Sequence, residues 1–235
     1  MRPLPKLLTC ASTEEWLDLL VQDFKALAGE TSSRGKPVHV ALCGGETPRP
    51  FYEALRQTAL PWPQIHWWLG DERCVPIDDP YSNQRMICET LGKDHPSFEK
   101  NWHPWPSDVS PDEAARLYEK ELGVRLGTPP VFDLILLGIG EDGHTASLFP
   151  GSPALEITGR MAVVNRLPEA ARAVGASERL TLTYPVLNAA RQVWFLVSGE
   201  KKRSWVEAME RDPDGSFPAA RVKAANQTIH WRRDA

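Results

Sequence analysis

No two cysteines in this chain stand at C-x-x-C spacing. The four present, Cys10, Cys43, Cys74 and Cys88, are scattered, which argues against a disulfide scaffold or a thiolate zinc site and fits reduced thiols in a cytosolic protein. The six histidines lack zinc-ligand spacing, and H-E-x-x-H does not occur, so no metal is expected. Nowhere do eighteen apolar residues run together, and the N-terminus MRPLPKLLTC has no long apolar core. Neither secretion nor membrane insertion is therefore expected, and the location expected is cytoplasmic. There is no basic block either: the net charge is -4 and Lys/Arg do not interleave with aromatics, so no nucleic-acid partner is expected. Any anion must be held by a local cluster. G-x-S-x-G is missing, which removes the usual serine-esterase elbow. Gly29 to Lys36, GETSSRGK, imitates a P-loop, but five residues separate its glycines, Pro37 stands where a hydroxyl is required, and the segment precedes a strand.

With 42% apolar and 25% charged positions in 235 residues, the chain can bury a sizeable core in one large domain or two closely joined ones. Ser12 and Glu15 have capping-box spacing and open the amphipathic run WLDLLVQDFKALAG, predicting a helix that ends at Gly29. PVHVALC (Pro37 to Cys43) and IHWWLG (Ile65 to Gly70) read as strands, the second running into a charged turn, DERCVP, and a helix near Ser82 and Asn83. Ser110, Pro111 and Glu113 supply an N-cap, an N1 proline and a capping-box partner for the next helix. VFDLILL, MAVVNR, RLTLT and QVWFLVSG read as strands, PVLNAA and KKRSWVEAME as helices, DPDG as a turn and TIHWRR as a last element. Tryptophan is abundant, nine in all, and packing explains most of it better than a ligand stack. The alternation predicts an α/β fold: a mostly parallel, Rossmann-like sheet with helices on both faces. Its ligand crevice belongs at the carboxyl ends of the strands.

Charge and glycine collect at those ends, in CGGETP, GDER, GIGEDGH and SGEKK. Gly138, Gly140 and Gly143 satisfy G-x-G-x-x-G, but a true dinucleotide fingerprint opens a long helix. Pro150 and Gly151 would stop one here, and Asp142 would face the diphosphate. What remains is a glycine turn presenting Asp142, His144, Thr145 and Ser147, with His144 placed for proton transfer. In GGETP, Thr47 reads as the cap of a helix with Pro48 at its first position, leaving free N–H groups that could hold an anion; the residues alone favour the plainer reading, a tight turn with a well-capped helix. Arg73 and Lys202, singly unremarkable, repeat the placement of cations at strand ends.

CGGETP, GDERCVPIDDPYSNQRMI, LILLGIGEDGHTASLFPG, RLTLTYPVLN and SGEKK, in this order, together with the terminal TIHWRRDA, resemble the 6-phosphogluconolactonase family, with relatives among the glucosamine-6-phosphate isomerases/deaminases. The resemblance implies a single domain over 1–235 that hydrolyses a small-molecule sugar-phosphate lactone without organic cofactor or obligatory metal. It implies His144 as general base, supported by Asp142 and Asp71. Arg73, Arg179 and Lys202 would surround the phosphate with Gly44, Gly45 and Thr47, and Arg73 remains open to a role at the reacting carbonyl instead. Oligomeric state is not legible. Where the family has hydroxyl residues near Cys43 and Glu46 this chain departs from it, so Glu46 is expected to turn outward. The related isomerases/deaminases carry a glutamate seven residues after the motif's aspartate; seven from Asp142 is Phe149, which cannot transfer a proton. A binding protein that keeps the fold without turnover is the reading from a different class.

Overall fold

The computed structural model describes residues 4–167, 177–211 and 215–234. The turn before RLTLT lies mostly, and the DPDG turn all but Gly215, outside them. The chain opens with a strand missed by pattern, β1 (Lys6–Cys10), too short for its alternation to register. Ser12 then caps α1 (Thr13–Ser33), its hydroxyl accepting the Glu15 N–H at 3.2 Å. The helix runs past Gly29, because the left-handed residue that ends it is Gly35, at φ 68°.

After β2 (Val38–Leu42) comes α2 (Arg49–Arg56), which corrects the expected cap. Pro48, not Thr47, stands at the N-cap position, and no side chain caps this helix. β3 (Ile65–Leu69) follows. The next three residues of the expected turn DERCVP are instead a strand, β4 (Asp71–Arg73). α3 (Asn83–Ile87), capped by Ser82, α4 (Pro96–Lys100), β5 (Trp102–His103) and α5 (Pro111–Leu126), capped by Ser110 as predicted, lead to β6 (Leu134–Leu137), buried throughout. β7 (Ala162–Arg166), β8 (Glu178–Leu182), α6 (Tyr184–Ala189), β9 (Val193–Ser198), α7 (Arg203–Arg211) and β10 (Gln227–Arg232) complete the order.

Seven strands form a parallel sheet in the order β1-β10-β9-β6-β2-β3-β5. The strands MAVVNR and RLTLT leave that sheet and pair antiparallel with each other in a small second one, β4-β8-β7, in which RLTLT also pairs antiparallel with β4. From β2 the chain first builds outward through β3 to β5, then returns to the other side of β2 with β6. The switch between β2 and β6 splays the loops that follow these strands and opens a crevice at their carboxyl ends. Trp16, Trp67, Trp68 and Trp105 are fully buried, packing residues as expected. Among the described residues no helix is long and apolar enough to cross a membrane.

Candidate active site

A cleft of about 760 Å³, counting its open mouth, lies at that switch point. Its walls come from the loop after β2, from β4, from the turn after β6 and from the end of β9 with the residues behind it. Gly44, Gly45, Thr47, Asp71, Arg73, His144 and Lys202 all line it. Two of the residues singled out by sequence are not among its lining residues. Asp142 is the partner of His144, and Arg179 lies buried in register with Arg73 across the β4–β8 pair.

The local fold of LLGIGEDGHTAS explains the partly buried histidine at the cleft. Asp142 accepts the His144 backbone N–H at 3.1 Å and contacts ring Nδ1 at 2.5 Å with the same carboxylate oxygen. Burial alone would raise the Asp142 pKa; the backbone N–H, the charge and the ring N–H of His144 together outweigh it and hold the carboxyl below its usual range. An ionised carboxylate only accepts, so in the neutral ring the proton sits on Nδ1 and Nε2 is left as the acceptor. The glycines of the false fingerprint serve this arrangement. A Cβ at Gly140 would overlap the imidazole, and Gly143, at φ 79°, would carry its Cβ to 3.0 Å from Phe217. Residues 144–152 form turns, not the helix a dinucleotide site needs.

Asp71 and Arg73 leave β4 on the cleft side, and Glu72 between them points into the protein. The Glu72 carboxylate accepts backbone N–H groups of Arg73 (2.7 Å), Asn83 (2.8 Å) and Gln84 (2.7 Å) and the Ser82 hydroxyl (3.2 Å). Burial pushes its pKa up against those three backbone donors. This clamp returns the 74–82 loop so that Asn83 meets Arg73. Asn83 Oδ1 accepts from the Arg73 guanidinium, which also donates to the Tyr81 carbonyl at 3.1 Å, while Asn83 Nδ2 donates to the Asp71 carbonyl at 2.8 Å. Gly44 must be glycine here, since a Cβ would overlap the Asn83 side chain. Asp71 accepts the Ser147 hydroxyl at 2.6 Å, tying β4 to the histidine turn.

Cations gather on an otherwise acidic protein. Burial lowers the Arg179 pKa and the neighbouring Arg73 lowers it further, against Asp71, the Cys74 thiol and Glu72. Burial also lowers Lys202, against Glu141 and Asp142. Arg73 and Lys202, both lining the cleft, favour an anion there, and the buried Arg179 adds its charge from the neighbouring strand. Glu46 also lines the cleft, but its side chain is 86% exposed and its charge is paired with Arg49 at 3.2 Å. Thr47 does not cap a helix; its hydroxyl bonds that of Ser198 at 3.0 Å across the mouth of the crevice. Asn83 and Ser198 line the cleft and were missed as site residues. Asn83 was legible only as a helix start, and Ser198 only as the end of a buried strand.

Known proteins resemble this chain along most of its length. Residues 11–231 match the family model described as glucosamine-6-phosphate isomerases/6-phosphogluconolactonase. A 6-phosphogluconolactonase of Synechocystis is 43% identical over 203 residues, covering 83% of this chain and 81% of that protein. The structure of 6-phosphogluconolactonase from Trypanosoma brucei superposes with a TM-score of 0.85 at 28% identity, covering 98% of this chain and 97% of that one. A monomeric glucosamine-6-phosphate deaminase shares the fold, with a TM-score of 0.79 at 21% identity, covering 97% and 98%.

Proposed function

The chain belongs to the family of glucosamine-6-phosphate isomerases and 6-phosphogluconolactonases, and on that premise we propose that it is the lactone hydrolase, opening 6-phosphoglucono-1,5-lactone to 6-phosphogluconate in the oxidative pentose phosphate pathway. The observation that carries this reading is the Asp142–His144 pair at the cleft wall, with Nε2 left to accept a proton. His144 takes a proton from water as the water oxygen bonds to C1. The tetrahedral oxyanion collapses, the bond from C1 to the ring oxygen breaks, and the imidazolium returns the proton to that oxygen. Lys202 and the adjacent Arg73 and Arg179 favour the phosphate, with Gly44, Gly45 and Thr47 as further donors. Arg73, which lines the cleft, would serve the oxyanion if it faces the reacting carbonyl instead. Hydrolysis in this form uses neither an organic cofactor nor a metal. The family match over residues 11–231 supports one domain along the chain. The scattered cysteines support a cytoplasmic location, and the net charge of -4 argues against a nucleic-acid partner.

Opening of freshly generated 6-phosphogluconolactone, measured above its spontaneous background, tests the proposal. The protein should accelerate it, and His144→Ala should lower kcat by roughly two to four orders of magnitude with substrate binding nearly intact. With phenylalanine at 149, glucosamine 6-phosphate should yield neither ammonia nor fructose 6-phosphate. Steady enzyme-dependent formation of those two products would overturn the assignment, as would a His144→Ala protein with normal turnover.

A further inference from the structure

Phe149 is buried, yet it stands outside the contiguous apolar core formed by the described residues. Its ring lies instead on the imidazole of His144, with centroids 4.1 Å apart and planes inclined by 26°. A tight turn brings it back five residues along the chain. Leu148 N–H bonds the Thr145 carbonyl at 2.9 Å, and Ala146, which lines the cleft, takes a left-handed φ of 45°. Alanine adopts that conformation only when its surroundings impose it. Three contacts do so: Thr145 Oγ1 donates to the Gly138 carbonyl at 2.8 Å, Ser147 Oγ to Asp71 at 2.6 Å, and Ser147 N–H to Thr181 Oγ1 at 3.2 Å. A strained turn held from three sides delivers one aromatic ring to one imidazole.

We propose that Phe149 is a positioning residue for the base, holding the His144 ring in the plane that keeps Nδ1 on Asp142 and Nε2 toward the cleft. The hydrogen bond alone is a weak restraint, because both partners reach solvent: the side chains of His144 and Asp142 are 30% and 45% exposed. Water can compete for either end of the ring, and rotation about χ2 then misdirects Nε2. A phenyl face against the imidazole opposes that rotation and excludes water from one side. Its negative π-face also favours the imidazolium formed when the proton is taken. Phe149 exchanges no proton itself.

This inference rests on the reading of His144 as base, so its test needs one arm that does not depend on turnover. The full-length protein, Phe149→Leu and Phe149→Tyr are compared by kcat and KM on the lactone and, without ligand, by ¹³C relaxation of the His144 ring. Leucine fills space without a π-face. It should lower kcat by about ten- to a hundred-fold, since small misplacement of a reacting group is costly. KM should stay within about twofold and the ring order parameter should fall. Tyrosine should restore both. Unchanged kcat or unchanged ring order in Phe149→Leu overturns the proposal, and so does failure of tyrosine to rescue. If leucine unfolds the protein, Phe149→Met takes its place under the same criteria. Absence of lactonase activity in the unaltered protein would refute the proposed function instead, leaving the relaxation arm to decide whether Phe149 orders His144.

Discussion

Lys202 belongs to a short turn after β9, and what it does is set by its surroundings more than by its own chemistry. Half-burial lowers its pKa while Glu141 and Asp142 counteract this, so an incoming phosphate exchanges imperfect solvation for a charge-assisted contact. Such contacts contribute about 1.5–3 kcal/mol, and this one would be made equally in ground and transition states. Lys202→Ala should therefore raise KM for the phosphorylated lactone by roughly ten-fold or more with a smaller fall in kcat. Non-phosphorylated gluconolactone should be handled alike by both proteins; an equal loss on the two lactones would remove Lys202 from the phosphate site. At this scale the sequence was legible where partners are close along the chain. Asp142 and His144, two residues apart, announce their bond in the spacing D-G-H. Asn83 reaches Arg73 ten residues away, and Ser198 reaches Thr47 from 151 residues away, contacts that only the folded chain creates.

Among the elements, β4 departs most from its expected form. DER reads as a charged turn because three alternating residues are too few to show a strand and all are ionisable. What makes it a strand is pairing with β8, and what makes a central glutamate tolerable is the ring of four donors around Glu72. Elsewhere buried tyrosines perform a related task. Tyr52 donates to the Cys43 carbonyl (2.7 Å) and accepts the Cys43 N–H (3.1 Å), and Tyr118 does the same at Leu69 (2.9 and 3.0 Å). Each fixes the end of a strand where the chain turns toward the cleft. The sequence marks these tyrosines only as apolar bulk. Glu72→Gln tests the clamp: an amide NH₂ replaces one acceptor oxygen and faces donors, leaving buried N–H groups unpaired at about 1–3 kcal/mol each. The urea midpoint should fall and the amides of Asn83 and Gln84 should exchange hydrogen faster than in the parent. Unchanged exchange at both would show that the loop is held by other means.

For the whole molecule, the parallel sheet was readable because its strands are apolar runs separated by capped helices, and the crevice followed from the topology. Edge strand β1 was not readable, and neither was the consequence of pairing it with β10. Between β1 and β9, β10 carries His230 into the interior, fully buried, with neither ring nitrogen hydrogen-bonded among the described residues. The groups facing it are Asp23 of α1, 4.0 Å from Nε2, Lys6 of β1, and the Trp194 ring at 5.0 Å. Burial, and then Lys6, lower the His230 pKa to about 4. His39, beside His66, His103 and Arg125, is lowered to about 4 as well, mainly by burial. Unfolded histidines titrate near 6.5, so between pH 6.5 and 4 the unfolded chain holds protons that the native protein excludes. The stability associated with these depressed values is complete above pH 6.5 and is lost as the pH falls toward 4. At pH 4.5 the loss from His230 alone should be about 2–3 kcal/mol. His230→Leu removes a titrating group of similar volume without breaking a hydrogen bond, so urea unfolding at pH 7.5 should change little. At pH 4.5 the variant should be the more stable protein, with the acid loss reduced but not abolished because His39 remains. Parallel loss of stability in parent and variant from pH 7.5 to 4.5 would show that His230 is not excluded from protonation in the native state.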